Sequence, residues 1–168
     1  MKRFPGAKAL LLAGGIACLT ACASPVGPDA QPQMAHDVPV GPQPWTAGAP
    51  NYEADTVRFA VFSDLTGGER EGVFELAVEQ LNLLRPELVV NVGDLIEGST
   101  DRAEIDRQWA SFDKRAQKSV APVLYTGGNH DLLNQQLRSA WEDRLGPRYY
   151  HLRYRDVLFL IFDTEDHS

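Results

Sequence analysis

Two rhythms of apolar residues run through the chain after residue 56. Near-continuous apolar runs occupy residues 57–62, 88–92 and 122–125, with the length and β-branched content of strands buried on both faces. Between them the spacing changes to three and four. Val73, Leu76, Ala77, Leu81 and Leu84 mark a helix over residues 72–84, which Pro86 stops. Ile105, Trp109, Phe112 and Ala116 form one stripe of a second helix, opened by Asp101 and Glu104 in the spacing of a capping box. A third helix is expected over residues 133–145, closed by Gly146-Pro147. Residues 149–154 and 157–162 pair as a hairpin around Arg155-Asp156. Alternating strands and helices predict an α/β fold, with a mainly parallel sheet covered on both faces.

The first 52 residues follow neither rhythm. Lys2, Arg3 and Lys8 precede an apolar stretch running from Ala9 to Leu19, too short to span a bilayer and suited to a signal peptide. Leu19-Thr20-Ala21-Cys22 follows at once and resembles the bacterial lipobox. That resemblance implies cleavage after residue 21, lipidation of Cys22 and stable attachment to a membrane. The alternative is an ordinary secretory signal ending at Ala21-Cys22-Ala23. Ala23 rather than Asp follows the cysteine, which leaves out an inner-membrane retention signal. The expected location is the bacterial cell envelope, on the outer membrane or its periplasmic face in a Gram-negative source. Residues 22–52 then carry Pro25, Pro28, Pro32, Pro39, Pro42, Pro44 and Pro50. Such density disfavours helix and ladder, so this stretch is expected to be an extended tether, with His36 a solvated linker residue.

Charge narrows the partners. The 168 residues carry a formal net charge of −7, and the first 21 hold three cations and no acid, so the remainder is more acidic still. An electrostatic coat on nucleic acid is excluded. Cys18 and Cys22 are the only cysteines, so no disulfide framework or thiolate zinc site can form beyond them.

Three oxygen-bearing residues stand just past the three strands: Asp64, Asp94 and Asn129, 30 and 35 residues apart. Each interval is about one strand–helix unit. Ligands of open parallel sheets bind beyond the carboxyl ends of the strands. Two carboxylates and an amide meeting there suit a hard or borderline divalent cation. Gly93, Gly127 and Gly128 allow sharp turns beside a ligand.

Taken in order, Ser63-Asp64-Leu65, Val92-Gly93-Asp94-Leu95-Ile96 and Gly128-Asn129-His130-Asp131 resemble the calcineurin-like metallophosphoesterase superfamily, as does the later run from Leu158 to Thr164. The resemblance implies a layered α/β sandwich and two divalent metal ions (manganese, iron or zinc). It implies that Asp64 binds the first metal, Asp94 bridges both and Asn129 binds the second. His130 would stabilise or protonate the leaving oxygen of a phosphoester substrate attacked by a metal-activated hydroxide, with Asp131 orienting His130 or its loop. Thr66 stands where the family has a metal-binding histidine, and a neutral hydroxyl is a weaker ligand. The later histidine motifs of the family are not found before Ser168; His151 reads as a surface or packing residue, and His167 carries no assignment. Gly93 to Gly98 lacks the Asp-Arg-Gly of the serine/threonine phosphatase branch. An apolar strand ending six residues before the last one predicts a domain cut short, so residues 53–168 are expected to be the N-terminal part of a metallophosphoesterase domain truncated after its hairpin.

Two functions follow as expectations. One is an envelope-anchored, metal-dependent phosphoester hydrolase, with this chain alone expected to be inactive. The other is a non-catalytic envelope lipoprotein whose site binds metal or phosphate weakly or not at all.

Overall fold

The computed structural model describes residues 33–52 and 55–166. The signal stretch, Cys22 and His167 lie outside the described residues.

Among the described residues, six strands and four helices follow one another as β1 (Met34–His36), β2 (Phe59–Phe62), α1 (Val73–Leu84), β3 (Leu88–Asn91), α2 (Arg102–Ala116), β4 (Val123–Leu124), α3 (Asn129–Leu132), α4 (Gln135–Leu145), β5 (Tyr150–Tyr154) and β6 (Val157–Ile161). The parallel sheet has the order β2-β3-β4, with Phe59 beside Leu88 and Val89 beside Val123. A second, antiparallel sheet has the order β1-β5-β6. Helices pack on one face of the parallel sheet, and the antiparallel sheet packs on the other.

Side-chain alternation explains the layering. Val89 and Val123 face the helices, in a core with Ile105, Trp109, Phe112 and Trp141. Leu88 and Leu124, one residue away in each strand, face the other sheet, in a core with Tyr150, Leu152 and Ile161. The expected parallel sheet is therefore present and covered on both faces at β3 and β4, with a sheet rather than helices on the second face, whereas Phe59 and Val61 of β2 stay largely exposed on that face.

Helix boundaries follow local chemistry. All four residues of the expected α2 stripe are buried. Asp101 caps the helix by accepting from the Ala103 N–H, while Glu104 turns to Arg107 and Gln108 instead of completing the capping box. The expected helix over residues 133–145 is α4, started at Gln135 because the Asn134 side chain accepts from the Leu137 N–H, and the short α3 precedes it. The spacing that marks α1 does give a helix, but of its five positions Leu81 is the large side chain that packs against the core. Phe74 and Val78 are buried, whereas Val73, Leu76 and Leu84 are largely exposed. The helix carries two apolar stripes about 100° apart, and periodicity alone weighs them equally. Aromatic packing chose between them: the Phe74 ring lies 5.4 Å from that of Phe62 and 5.7 Å from that of Phe112.

The tether expectation also fails for residues 34–52, which pack onto the domain. β1 pairs antiparallel with β5, matching Ala35 to Arg153. Further on, the Thr46 N–H donates to the Val123 carbonyl at 3.0 Å and the Tyr125 N–H to the Pro44 carbonyl at 2.8 Å. Prolines stop a segment from building its own ladder, but their carbonyls still accept, and the residues between them still donate. Trp45 packs against Tyr150 on the edge so covered. His36 is an exposed strand residue with its ring 4.9 Å from Trp45, rather than a free linker residue.

Candidate metal centre

β2, β3 and β4 are parallel, so their carboxyl ends share one edge, and the loops leaving them carry Asp64, Asp94 and Asn129. Backbone bonds tie these loops together. The Asp64 N–H donates to the Gly93 carbonyl at 3.3 Å, and the Leu65 N–H to the Asp94 carbonyl at 2.9 Å. The His130 N–H donates to Asp94 Oδ1 at 3.0 Å. The backbone segments that carry the three oxygen-bearing residues singled out in the sequence thus lie along one rim.

Both aspartates bend the chain sharply. Asp64 has φ 59° and Asp94 has φ 56°, left-handed conformations disfavoured for residues with a Cβ. Each costs about 1 kcal/mol or more and persists only where its surroundings enforce it. Gly93 and Gly128 are part of that enforcement. A Cβ on Gly93 would lie 2.7 Å from the Gly128 backbone, and one on Gly128 would lie 2.4 Å from Asp94 Oδ1. Gly93 has φ 107°, as a sharp turn requires. Gly128 is extended, and Gly127 is pressed against Leu132, so these two are needed for close approach rather than for turning.

Asp131 lies beneath the rim, fully buried. Its Oδ2 accepts from the N–H groups of Asp94 at 2.8 Å and Gly128 at 2.9 Å. Its Oδ1 accepts from those of Leu95 at 3.0 Å and Ile96 at 3.2 Å. Burial pushes its carboxyl up to about 7, against the pull of the Gly128, Leu95 and Ile96 amides. With both oxygens so occupied, Asp131 holds the loops after β3 and β4 in place; it is a positioning residue, not a group offered to a substrate.

His130 is half-buried at the rim. Its Nδ1 donates to the Glu97 carbonyl at 2.9 Å, which leaves Nε2 as its second proton site. That bond first, and the nearby carboxylates of Asp94, Glu97 and Asp131 after it, raise its pKa above the usual imidazole range. Glu97 also accepts the Gly67 N–H on Oε1 at 2.8 Å, joining the Asp64 loop to the Asp94 loop. Neither Glu97 nor Asn91 stood out in the sequence. Asn91 is fully buried and accepts the Gly93 N–H at 2.8 Å. An asparagine inside an apolar strand was the available signal; Glu97, in an exposed loop, had none.

Thr66 is half-buried beside Asp64, in the wall of a cavity. His151 is far from this role: it sits on β5, where its Nδ1 pairs with Asp37 at 2.8 Å.

Two carboxylates and an amide are hard oxygen donors and fit a cation of the magnesium or manganese type, with water completing the shell. The Gly128 cradle against Asp94 fits the same reading. Among the described residues no three His, Cys, Asp or Glu side chains gather as a metal-holding group, so the donors there do not complete a two-ion centre.

No curated protein and no solved structure matches the chain. The family model for calcineurin-like phosphoesterase matches residues 57–165, which span all three rim loops, the parallel sheet and the β5–β6 hairpin. With that match over most of its described length, the chain belongs to the calcineurin-like phosphoesterase family, whose members are metal-dependent phosphoesterases.

Proposed function

We propose that this rim binds a divalent cation and that the chain hydrolyses phosphoesters there. The observation that carries this reading is the pair of left-handed aspartates, Asp64 and Asp94, held side by side at the ends of adjacent parallel strands. Strain repeated at two acidic positions of one rim is the mark of a site built for a ligand.

Asp64, Asp94 and Asn129 would hold the cation. When bound, it supplies Lewis-acid stabilisation of phosphoryl oxygens and acidifies water. The chain's own residues do the rest. The His130 Nδ1 bond to the Glu97 carbonyl fixes the imidazole and leaves Nε2 to donate to the departing oxygen. Asp131 holds the Asp94 backbone, and so the direction of its carboxylate.

Asp94→Asn is the test. In the intact chain with manganese, hydrolysis of bis-p-nitrophenyl phosphate is expected to fall by about a hundredfold or more, as for loss of a principal electrostatic contact. Equal rates for both proteins, or rates independent of metal, refute the proposal.

A second reading rests on the threonine at position 66 and on the donor count among the described residues. In that reading the chain is a non-catalytic envelope protein whose rim binds metal weakly. Stoichiometric metal binding without turnover of any phosphoester would favour it.

We also infer an envelope location, with Cys22 carrying the lipid. Support comes from the basic residues, apolar stretch and lipobox-like Leu19-Thr20-Ala21-Cys22. Cys22→Ser is expected to abolish labelling by radioactive palmitate and move the protein from the membrane to the soluble fraction; retained labelling refutes the assignment.

A further inference from the structure

A cavity of about 260 Å³ opens between the loop that carries Asp64 and the first turns of α1. Asp64 and Thr66 belong both to the rim and to its wall, while Phe62, Val73, Phe74 and Ala77 make the lining chiefly apolar. The cavities around Pro42, Leu84 and Arg144 share no lining residue with the rim.

Size and chemistry select an occupant. A closed apolar cavity of about 150 Å³ takes benzene, so this one, which is open to solvent on one side, has room for a single aromatic ring with its linking atoms. The threonine at position 66 puts a small methyl and hydroxyl in the wall, where an imidazole would fill space and draw a cation. Of the charged groups in the lining, Glu69 is taken up in an ion pair with Arg115, which leaves Asp64 and Arg70 of opposite sign. With those two offsetting and the rest of the lining chiefly apolar, the pocket favours a neutral ring over a charged one.

We propose that this cavity receives the ring of an aromatic phosphoester whose phosphoryl group lies at the rim, which makes aryl and benzyl phosphoesters the preferred substrate class. The proposal rests on the phosphoesterase reading above. The linker from phosphorus to ring runs past Asp64 and Thr66, the two residues shared by both places.

Three unreactive probes separate the parts: methylphosphonate for the rim, benzyl alcohol for the cavity, and benzylphosphonate for both. Binding is measured by calorimetry on the intact chain with manganese. Benzylphosphonate is expected to bind about tenfold or more tightly than methylphosphonate, from burial of the ring. Ala77→Leu, which fills the cavity, is expected to remove that advantage. With diamagnetic magnesium or zinc in place of manganese, nuclear Overhauser contacts from the bound ring to Phe74 locate it without any variant. Equal affinities for the two phosphonates, an advantage that survives Ala77→Leu, or no contact with Phe74 overturns the pocket and leaves the rim reading standing. If benzyl alcohol binds but neither phosphonate binds better than it does, the phosphoesterase reading fails and the proposal fails with it.

Discussion

Replacing the buried Asp131 by asparagine tests how the rim is held. The two side chains have almost the same shape, so packing is unchanged. What changes is that one acceptor oxygen becomes an NH2 donor. Each oxygen of Asp131 serves two backbone N–H groups: Oδ2 those of Asp94 and Gly128, Oδ1 those of Leu95 and Ile96. Whichever oxygen is lost, two buried amides then face a donor. An unsatisfied buried amide costs about 1–3 kcal/mol, so Asp131→Asn is expected to cost about 2–6 kcal/mol. Whole domains are stable by only about 5–15 kcal/mol. The assay is urea unfolding above pH 7, where the carboxylate is ionised, together with amide hydrogen exchange. Exchange should accelerate at one pair of amides, either Asp94 and Gly128 or Leu95 and Ile96, and the pair affected reveals which way the amide turns. A loss below about 1 kcal/mol with all four amides still protected would refute the argument that these bonds hold the loops.

Other predictions follow from the same geometry. Gly128→Ala places a Cβ 2.4 Å from Asp94 Oδ1 and is expected to displace that carboxylate, lowering manganese affinity about tenfold or more in a metal titration. Unchanged affinity would mean that Asp94 is not a ligand. A pH effect is expected where β1 meets β5. Donation from the His151 N–H, above all, holds the Asp37 carboxyl below the usual carboxylate range. A depressed folded pKa gives stability that is present above the ordinary aspartate value and is lost as pH falls through the folded one. Amide protection in Met34–His36 is therefore expected to fall in acid before that of the parallel sheet, and Asp37→Asn to make it insensitive to pH over that range. Simultaneous loss in both sheets, or unchanged pH dependence in the variant, would count against this.

Much of the fold was legible because its signals are local. The apolar runs that became β2, β3 and β4 differ in period from the helices between them, and a parallel sheet is the arrangement that such alternation allows. The α2 stripe was legible because a single apolar face leaves one way to bury it. The α1 face was not, because Phe74 and Val78 compete with Val73, Leu76 and Leu84, and only the rings of Phe62 and Phe112 decide between them. Residues 34–52 were misread for a related reason: proline content describes what a segment cannot do alone, while its pairing depends on open strand edges elsewhere in the chain.

At the rim the division is the same. The order and spacing of Asp64, Asp94 and Asn129 sufficed to place oxygen donors at one sheet edge, since strand direction and loop position are set by the chain itself. The sequence by itself also determined the acidity of the chain and the threonine at position 66. Only tertiary structure decided that Asp131 turns inward to bind four amides, that Glu97 fixes both His130 and Gly67, and that a cavity opens beside Asp64. Those features depend on groups distant in sequence whose positions come from packing, and packing is a property of the assembled layers that no local pattern encodes.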